Sequence, residues 1–150
     1  MNETRITPSV WHNFQSLVIE NHDIRLETVP DLGAKIVSCL DKKHSFEWLA
    51  APFSEIVKPE YGANFTDQNM CGWDEMFPTI IACEWGGIIF PDHGELWSLP
   101  WNFHTTDELI ACKVQGIAFP YHLKREISID PPDSFILKYS LRNDSVVPFP

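Results

Sequence analysis

The chain has 150 residues, enough for a single domain with a substantial core, and its composition (44% hydrophobic, 21% charged) is that of a globular protein. A formal net charge of -10 argues against nucleic acid, which needs a basic face, and against an anionic membrane surface. A neutral ligand or a cation suits such a chain better than a phosphate-rich one.

Residues Met1 to Val10 contain no apolar signal region, and no apolar run approaches the length of a membrane span, so a cytoplasmic location is expected. Cys39, Cys71, Cys83 and Cys112 lack C-x-x-C spacing, so neither a zinc site nor a disulfide framework is expected.

Residues 1–16 read as an irregular lead-in anchored by Trp11 and Phe14, and residues 17–150 as a β-sandwich domain. Leu17 to Glu20 is a short apolar run closed by the turn Asn21-His22-Asp23. Ile24 to Val29 alternates, with Ile24, Leu26 and Thr28 on one side and Arg25, Glu27 and Val29 on the other. Pro30-Asp31-Leu32-Gly33 turns the chain into a small, β-branched strand over Ala34 to Leu40, and Phe46 to Leu49 follows a second polar turn. Residues 50–70 break this rhythm with Pro52, Pro59 and Gly62, predicting a long loop that serves as a lid or wall. Strands resume at Glu108 to Val114, Phe119 to Ile129 and Ser134 to Arg142, the last two separated by the turn Asp130-Pro131-Pro132-Asp133. No stretch carries a helical apolar stripe, so the prediction is all-β, an antiparallel sandwich. The apolar, proline-bearing end Val146 to Pro150 has the character of an approach to another strand, and the fold is expected to continue past residue 150.

The chemistry concentrates between Cys71 and Trp101, which holds Trp73, Trp85, Trp97 and Trp101 together with Asp74, Glu75, Glu84, Asp92, His93 and Glu95. Aromatic faces interleaved with carboxylates and a histidine suit a small polyhydroxylated ligand: the polar groups pair hydroxyls, and an indole stacks on the C–H face of a ring. If Asp92 to Ser98 is extended, His93, Glu95 and Trp97 share one face; the same rule groups Trp73, Glu75 and Phe77, with Asp74 opposite. Each has a plainer reading too: His93 as a structural histidine, Glu95 as a surface charge, Trp73 and Trp97 as core. Arg125 either reaches a carboxylate or sugar oxygen, or faces solvent. Asp92-His93-Gly94-Glu95 has no second histidine nearby, so no metal is expected. No G-x-S-x-G or phosphate-cradling glycine loop is present, and Gly86-Gly87 reads as a hairpin turn.

Three segments, Leu26 to Ile36, Gly72 to Ile80 and Pro91 to Trp97 (P-D-H-G-E-L-W), resemble the galactose mutarotase-like, or aldose 1-epimerase-like, superfamily. The resemblance runs from about residue 17 to the end of the chain and implies the N-terminal half of a twisted antiparallel supersandwich with a sugar groove on its sheet. It implies mutarotation of a small-molecule sugar by acid–base ring opening and closure, without metal or organic cofactor. His93 would be the first active-site histidine, and Arg125 an arginine near the sugar; by their residue types and spacing rather than by the resemblance, Trp73, Asp74, Glu75, Glu95 and Trp97 are expected to line the groove. The family's second histidine and its general-base glutamate lie in the C-terminal half, so these 150 residues alone are expected to be inactive. Two other readings stand beside this one. The first is a non-catalytic carbohydrate-binding or sensing module; the second is a truncated, inactive form that self-associates through exposed strand edges.

Overall fold

The computed structural model describes residues 3–148, and it is all-β with antiparallel pairing throughout. Strands β1 (Arg5–Trp11), β2 (Phe14–Glu20), β3 (Ile24–Val29), β4 (Lys35–Asp41) and β5 (Phe46–Glu47) form the first sheet in sequential order. A small hairpin follows, β6 (Cys83–Trp85) and β7 (Ile88–Phe90), turned by Gly86 and Gly87, both at positive φ. The second sheet is the meander β8 (Asn102–Thr105), β9 (Leu109–Gln115), β10 (Tyr121–Asp130) and β11 (Ser134–Asn143).

Alternation explains how the sheets meet. Leu17, Ile19, Leu26 and Ile36 from the first sheet pack with Ile110, Cys112, Val114, Tyr121, Leu123 and Ile127 from the second in one core. Burying each large side chain contributes about 1.5–3 kcal/mol, so this interior carries most of the folding drive. A smaller cluster of Val29, Leu32 and Val37 is covered by Trp11, Phe14 and Ile56, the last from the long loop. A β-bulge separates these environments: Thr28 pairs with Ile36 but Glu27 pairs with Ser38, leaving Val37 as the extra residue. Glu27, buried, is satisfied there by Ser16 (2.6 Å) and Arg25 (2.7 Å).

Two expectations are corrected. Of the irregular lead-in expected over residues 1–16, residues 1 and 2 lie outside the described residues, and the rest is largely strand, supplying β1 and the start of β2. A half-exposed edge strand has little hydrophobic signature, and Pro8 is tolerated in it because an edge leaves backbone groups unpaired. Trp11 and Phe14 do anchor the segment. Asp92 to Ser98 is also not extended: it is a turn followed by a 3-10 turn at Leu96–Ser98, with His93 at φ 56 and Gly94 at φ 69. Trp97 Nε1 donates to the carbonyls of Asp92 and Gly94 (3.2 Å each), closing the turn onto itself.

The 50–70 loop is long, as its prolines predict, and has one 3-10 turn, Phe65–Asp67. Among the described residues no helix is long and apolar enough to cross a membrane.

Gly33 locks the first sheet to the segment before β8. Its φ is +67, its N–H donates to Leu99 O at 3.0 Å, and a Cβ there would lie 2.5 Å from the Trp97 carbonyl oxygen. Gly33→Ala is therefore expected to lower unfolding free energy by about 2–4 kcal/mol in urea denaturation, combining left-handed strain with a backbone clash.

Candidate functional site

The segment after Cys71 is fixed to the first sheet by two backbone bonds, Trp73 N–H to Ile36 O (2.8 Å) and Ile36 N–H to Trp73 O (3.0 Å). From that anchor its two carboxylates diverge to different partners. Asp74 meets Lys35 Nζ at 2.5 Å, and the same ammonium donates to Cys71 O at 2.8 Å. Burial pushes the Asp74 carboxyl above its ordinary range, outweighing the pull of Lys35. Glu75 instead reaches across to the second sheet, where its Oε1 accepts from Arg125 Nη1 at 2.7 Å and from Tyr139 O–H at 2.6 Å.

Arg125 is fully buried. Its Nη2 donates to Thr28 Oγ1 (3.1 Å) and Ala34 O (2.5 Å), and its guanidinium carbon lies 5.6 Å from the centroid of the Trp101 ring. Of the two sequence readings for Arg125, the carboxylate partner is the one the structure holds. An arginine with no exposure touches no ligand directly, so its effect on a site passes through Glu75. Both bonds to Glu75 end on Oε1; among the described residues nothing donates to Oε2, on a side chain that keeps 13% exposure. Burial, then Glu75, raises the Tyr139 hydroxyl above its ordinary pKa, so it stays a donor. Close to this carboxylate in sequence, Trp73, two residues before it, is 43% exposed and Met76, the next residue, 37% exposed.

His93 belongs to a second grouping. Its ring stacks on Phe65 (centroids 4.4 Å, 23° between planes), and its Nδ1 lies 3.0 Å from Asp92 Oδ1, an ion-pair distance with an angle too poor for a hydrogen bond. Its backbone N–H donates to Ile80 O at 2.9 Å, and Gly94 sits against the Phe77 backbone where no Cβ fits. Asp92 Oδ2 takes the Phe65 N–H at 2.9 Å, and this bond, followed by His93, holds the Asp92 carboxyl below its ordinary range.

Glu95 and Trp97 turn inward. Glu95 has no exposure and accepts from Tyr121 O–H (2.8 Å), Tyr61 O–H (3.0 Å) and the N–H groups of Ile117 (3.1 Å) and Ala118 (2.9 Å). Trp97 is 3% exposed and meets Phe65 edge-on. The expected shared face of His93, Glu95 and Trp97 therefore does not form, and the latter two support the site from within.

The residues that sequence reasoning missed are Tyr139, Lys35, Phe65 and Tyr61. Tyr139 lies in an alternating strand and reads as core beside Phe135 and Leu137. Lys35 did leave a signal, as the lone cation of its strand, directly before Ile36 and Val37. Phe65 and Tyr61 lie in the long loop, where no periodicity marks them.

No family model matches the chain, and no curated protein matches it. Solved structures do. A TPR-domain containing protein from Parabacteroides distasonis is 18% identical with a TM-score of 0.58, over 80% of this chain and 19% of its own. The 4-alpha-glucanotransferase from Thermococcus litoralis is 15% identical with a TM-score of 0.54, over 94% of this chain and 24% of its own. At these identities the likeness is one of fold, and the chain spans about a fifth to a quarter of the structures it matches.

Two outcomes follow from the geometry. Glu75→Gln leaves the Arg125 charge buried and uncompensated, so it is expected to cost about 3–5 kcal/mol in urea denaturation; adding Arg125→Met is expected to recover most of that loss. For Asp92, whose folded pKa lies below 3.8, the stabilisation is whole above that value and is lost as pH falls through the lowered one. Hydrogen-exchange protection of the Phe65 amide is expected to fall across that acid window in the native chain, and to be low and flat in Asp92→Asn.

Proposed function

We propose that this protein binds a small neutral sugar at the ridge formed by Trp73, Glu75 and Tyr139. The observation that carries this reading is the Glu75 carboxylate, held through one oxygen by buried Arg125 and by Tyr139, two residues after an exposed indole. A fixed carboxylate oxygen accepts a hydroxyl with little loss of side-chain entropy, and an exposed tryptophan stacks on the apolar face of a pyranose. The fold likeness to 4-alpha-glucanotransferase is in keeping with this reading.

The finer reading is mutarotation of the aldose 1-epimerase type. Ring opening needs one group to take the anomeric proton and another to protonate the ring oxygen. His93, with Asp92 beside Nδ1, would present Nε2 for one of those transfers. A non-catalytic binding module uses the same ridge without the proton transfer.

Chemical-shift titration with neutral hexoses tests binding. Saturable shifts around Trp73, Glu75 and Tyr139 are expected, weakened about tenfold by Trp73→Ala, a truncation at an exposed position; unchanged affinity in that variant would remove the ridge from the reading. Anomer exchange followed by NMR then separates the two forms. Acceleration by the native chain that is lost in His93→Ala with binding kept supports mutarotation, whereas binding without acceleration fits both the module and a half-site that lacks its second proton-transfer group.

A further inference from the structure

The outer face of the second sheet has a character opposite to that of the chain as a whole. On β10 the residues Tyr121, Leu123, Arg125 and Ile127 point into the core, so His122, Lys124 and Glu126 point out. Strand register places their neighbours. Asn102, Lys113, Lys124 and Ser140 form one row across β8 to β11, and Gln115, His122 and Arg142 form the next. These two rows hold hydrogen-bond donors and no carboxylate. A groove of about 350 Å³ runs among Lys113, His122, Lys124, Ser140 and Arg142.

Two features distinguish this face from an ordinary solvated one. Lys113 and Lys124 are directly opposite in register, a like-charge cross-strand arrangement that destabilises a sheet. Lys124 has Glu126 at 2.9 Å, and that carboxylate also feels Lys138 and Lys113, while Lys113 itself lies within ion-pair distance of no carboxylate among the described residues. The second feature is a carboxylate already clamped at the margin of the groove. Asp144 accepts from Arg142 Nε at 2.5 Å and pairs with His122 Nδ1, and this contact with His122 and Arg142 lowers its carboxyl pKa. The geometry by which His122 and Arg142 hold an oxyanion is thus displayed by the chain's own side chain.

We propose that this face is a binding site for a phosphate dianion, free or as a monoester, seated between Lys113 and Lys124 and reaching His122 and Arg142. A phosphate would offset the opposed lysines and take several donors at once, which a monovalent anion does less well. The net charge of the chain sets its long-range field, while this row sets the local one. The site lies on the opposite face of the sheet from Arg125 and stands or falls independently of the sugar reading.

The test is a chemical-shift titration of the full chain with inorganic phosphate, at ionic strength held constant with chloride, repeated with glycerol phosphate. Saturable shifts are expected at residues 113, 122, 124, 140 and 142, weakened about tenfold or more in Lys113→Gln/Lys124→Gln. Asp144→Asn, which removes the competing carboxylate, is expected to tighten binding several-fold, and Lys138→Gln to leave it unchanged. Tighter binding of glycerol phosphate would mark the monoester as the form read, and tighter binding of inorganic phosphate the free ion. Without phosphate, Lys113→Gln is expected to raise Tm by about 1–3 °C by relieving the opposed charges. Shifts that chloride reproduces, or that persist undiminished in the double variant, would overturn the proposal. Unchanged spectra elsewhere show that the exposed substitutions leave the fold intact.

Discussion

A full positive charge sits between the two sheets of this protein, and the surrounding structure is arranged to tolerate it. Arg125 has no exposure, yet it is met by Glu75, Thr28, the Ala34 carbonyl and the face of Trp101. These partners come from β3, the turn into β4, the segment crossing from the first sheet, and the approach to β8. An uncompensated charge at that depth would cost several kcal/mol, so the ion pair dictates where the crossing segment runs. Glu75 is thereby drawn to the second sheet while Asp74, one residue earlier, stays with Lys35 on the first.

The functional reading depends on this division. A carboxylate free in solvent samples many rotamers and loses entropy on binding, whereas Glu75 is held from behind and beside before any ligand arrives. The same logic applies to His93, whose ring is set by Phe65 and Asp92 and whose backbone is forced to positive φ against the Phe77–Ile80 segment. Glu95 works at a further remove. By accepting from Tyr121 in the core and Tyr61 in the long loop, it fastens that loop near the turn bearing His93.

Much of the fold was legible because period-two alternation is a local signal. Ile24 to Val29, Ser134 to Arg142 and the Asp130-Pro131-Pro132-Asp133 turn are found where the pattern puts them. The pattern fails where tertiary contacts decide. β1 is an edge strand whose side chains bury too little to leave a hydrophobic trace. An extended P-D-H-G-E-L-W would put His93, Glu95 and Trp97 on one face, but Gly94 must approach the Phe77 backbone and Trp97 folds back onto its own turn, so period two does not describe it. The site residues were recognisable as a group of chemical types, but their pairing was not: Arg125 lies fifty positions from Glu75, and nothing local to either announces the other. That His93, Glu95 and Trp97 occupy three different environments follows from one turn, and a turn is what short-range periodicity reads least well.

The central claim is that the ion pair presents an open Glu75 oxygen to a sugar. The most direct measurement is a crystal structure of the chain soaked with a neutral hexose. A sugar hydroxyl is expected within hydrogen-bonding distance of Glu75 Oε2 and the ring over Trp73, with Arg125 unmoved. A hexose bound elsewhere with the Glu75 carboxylate still solvated would contradict it.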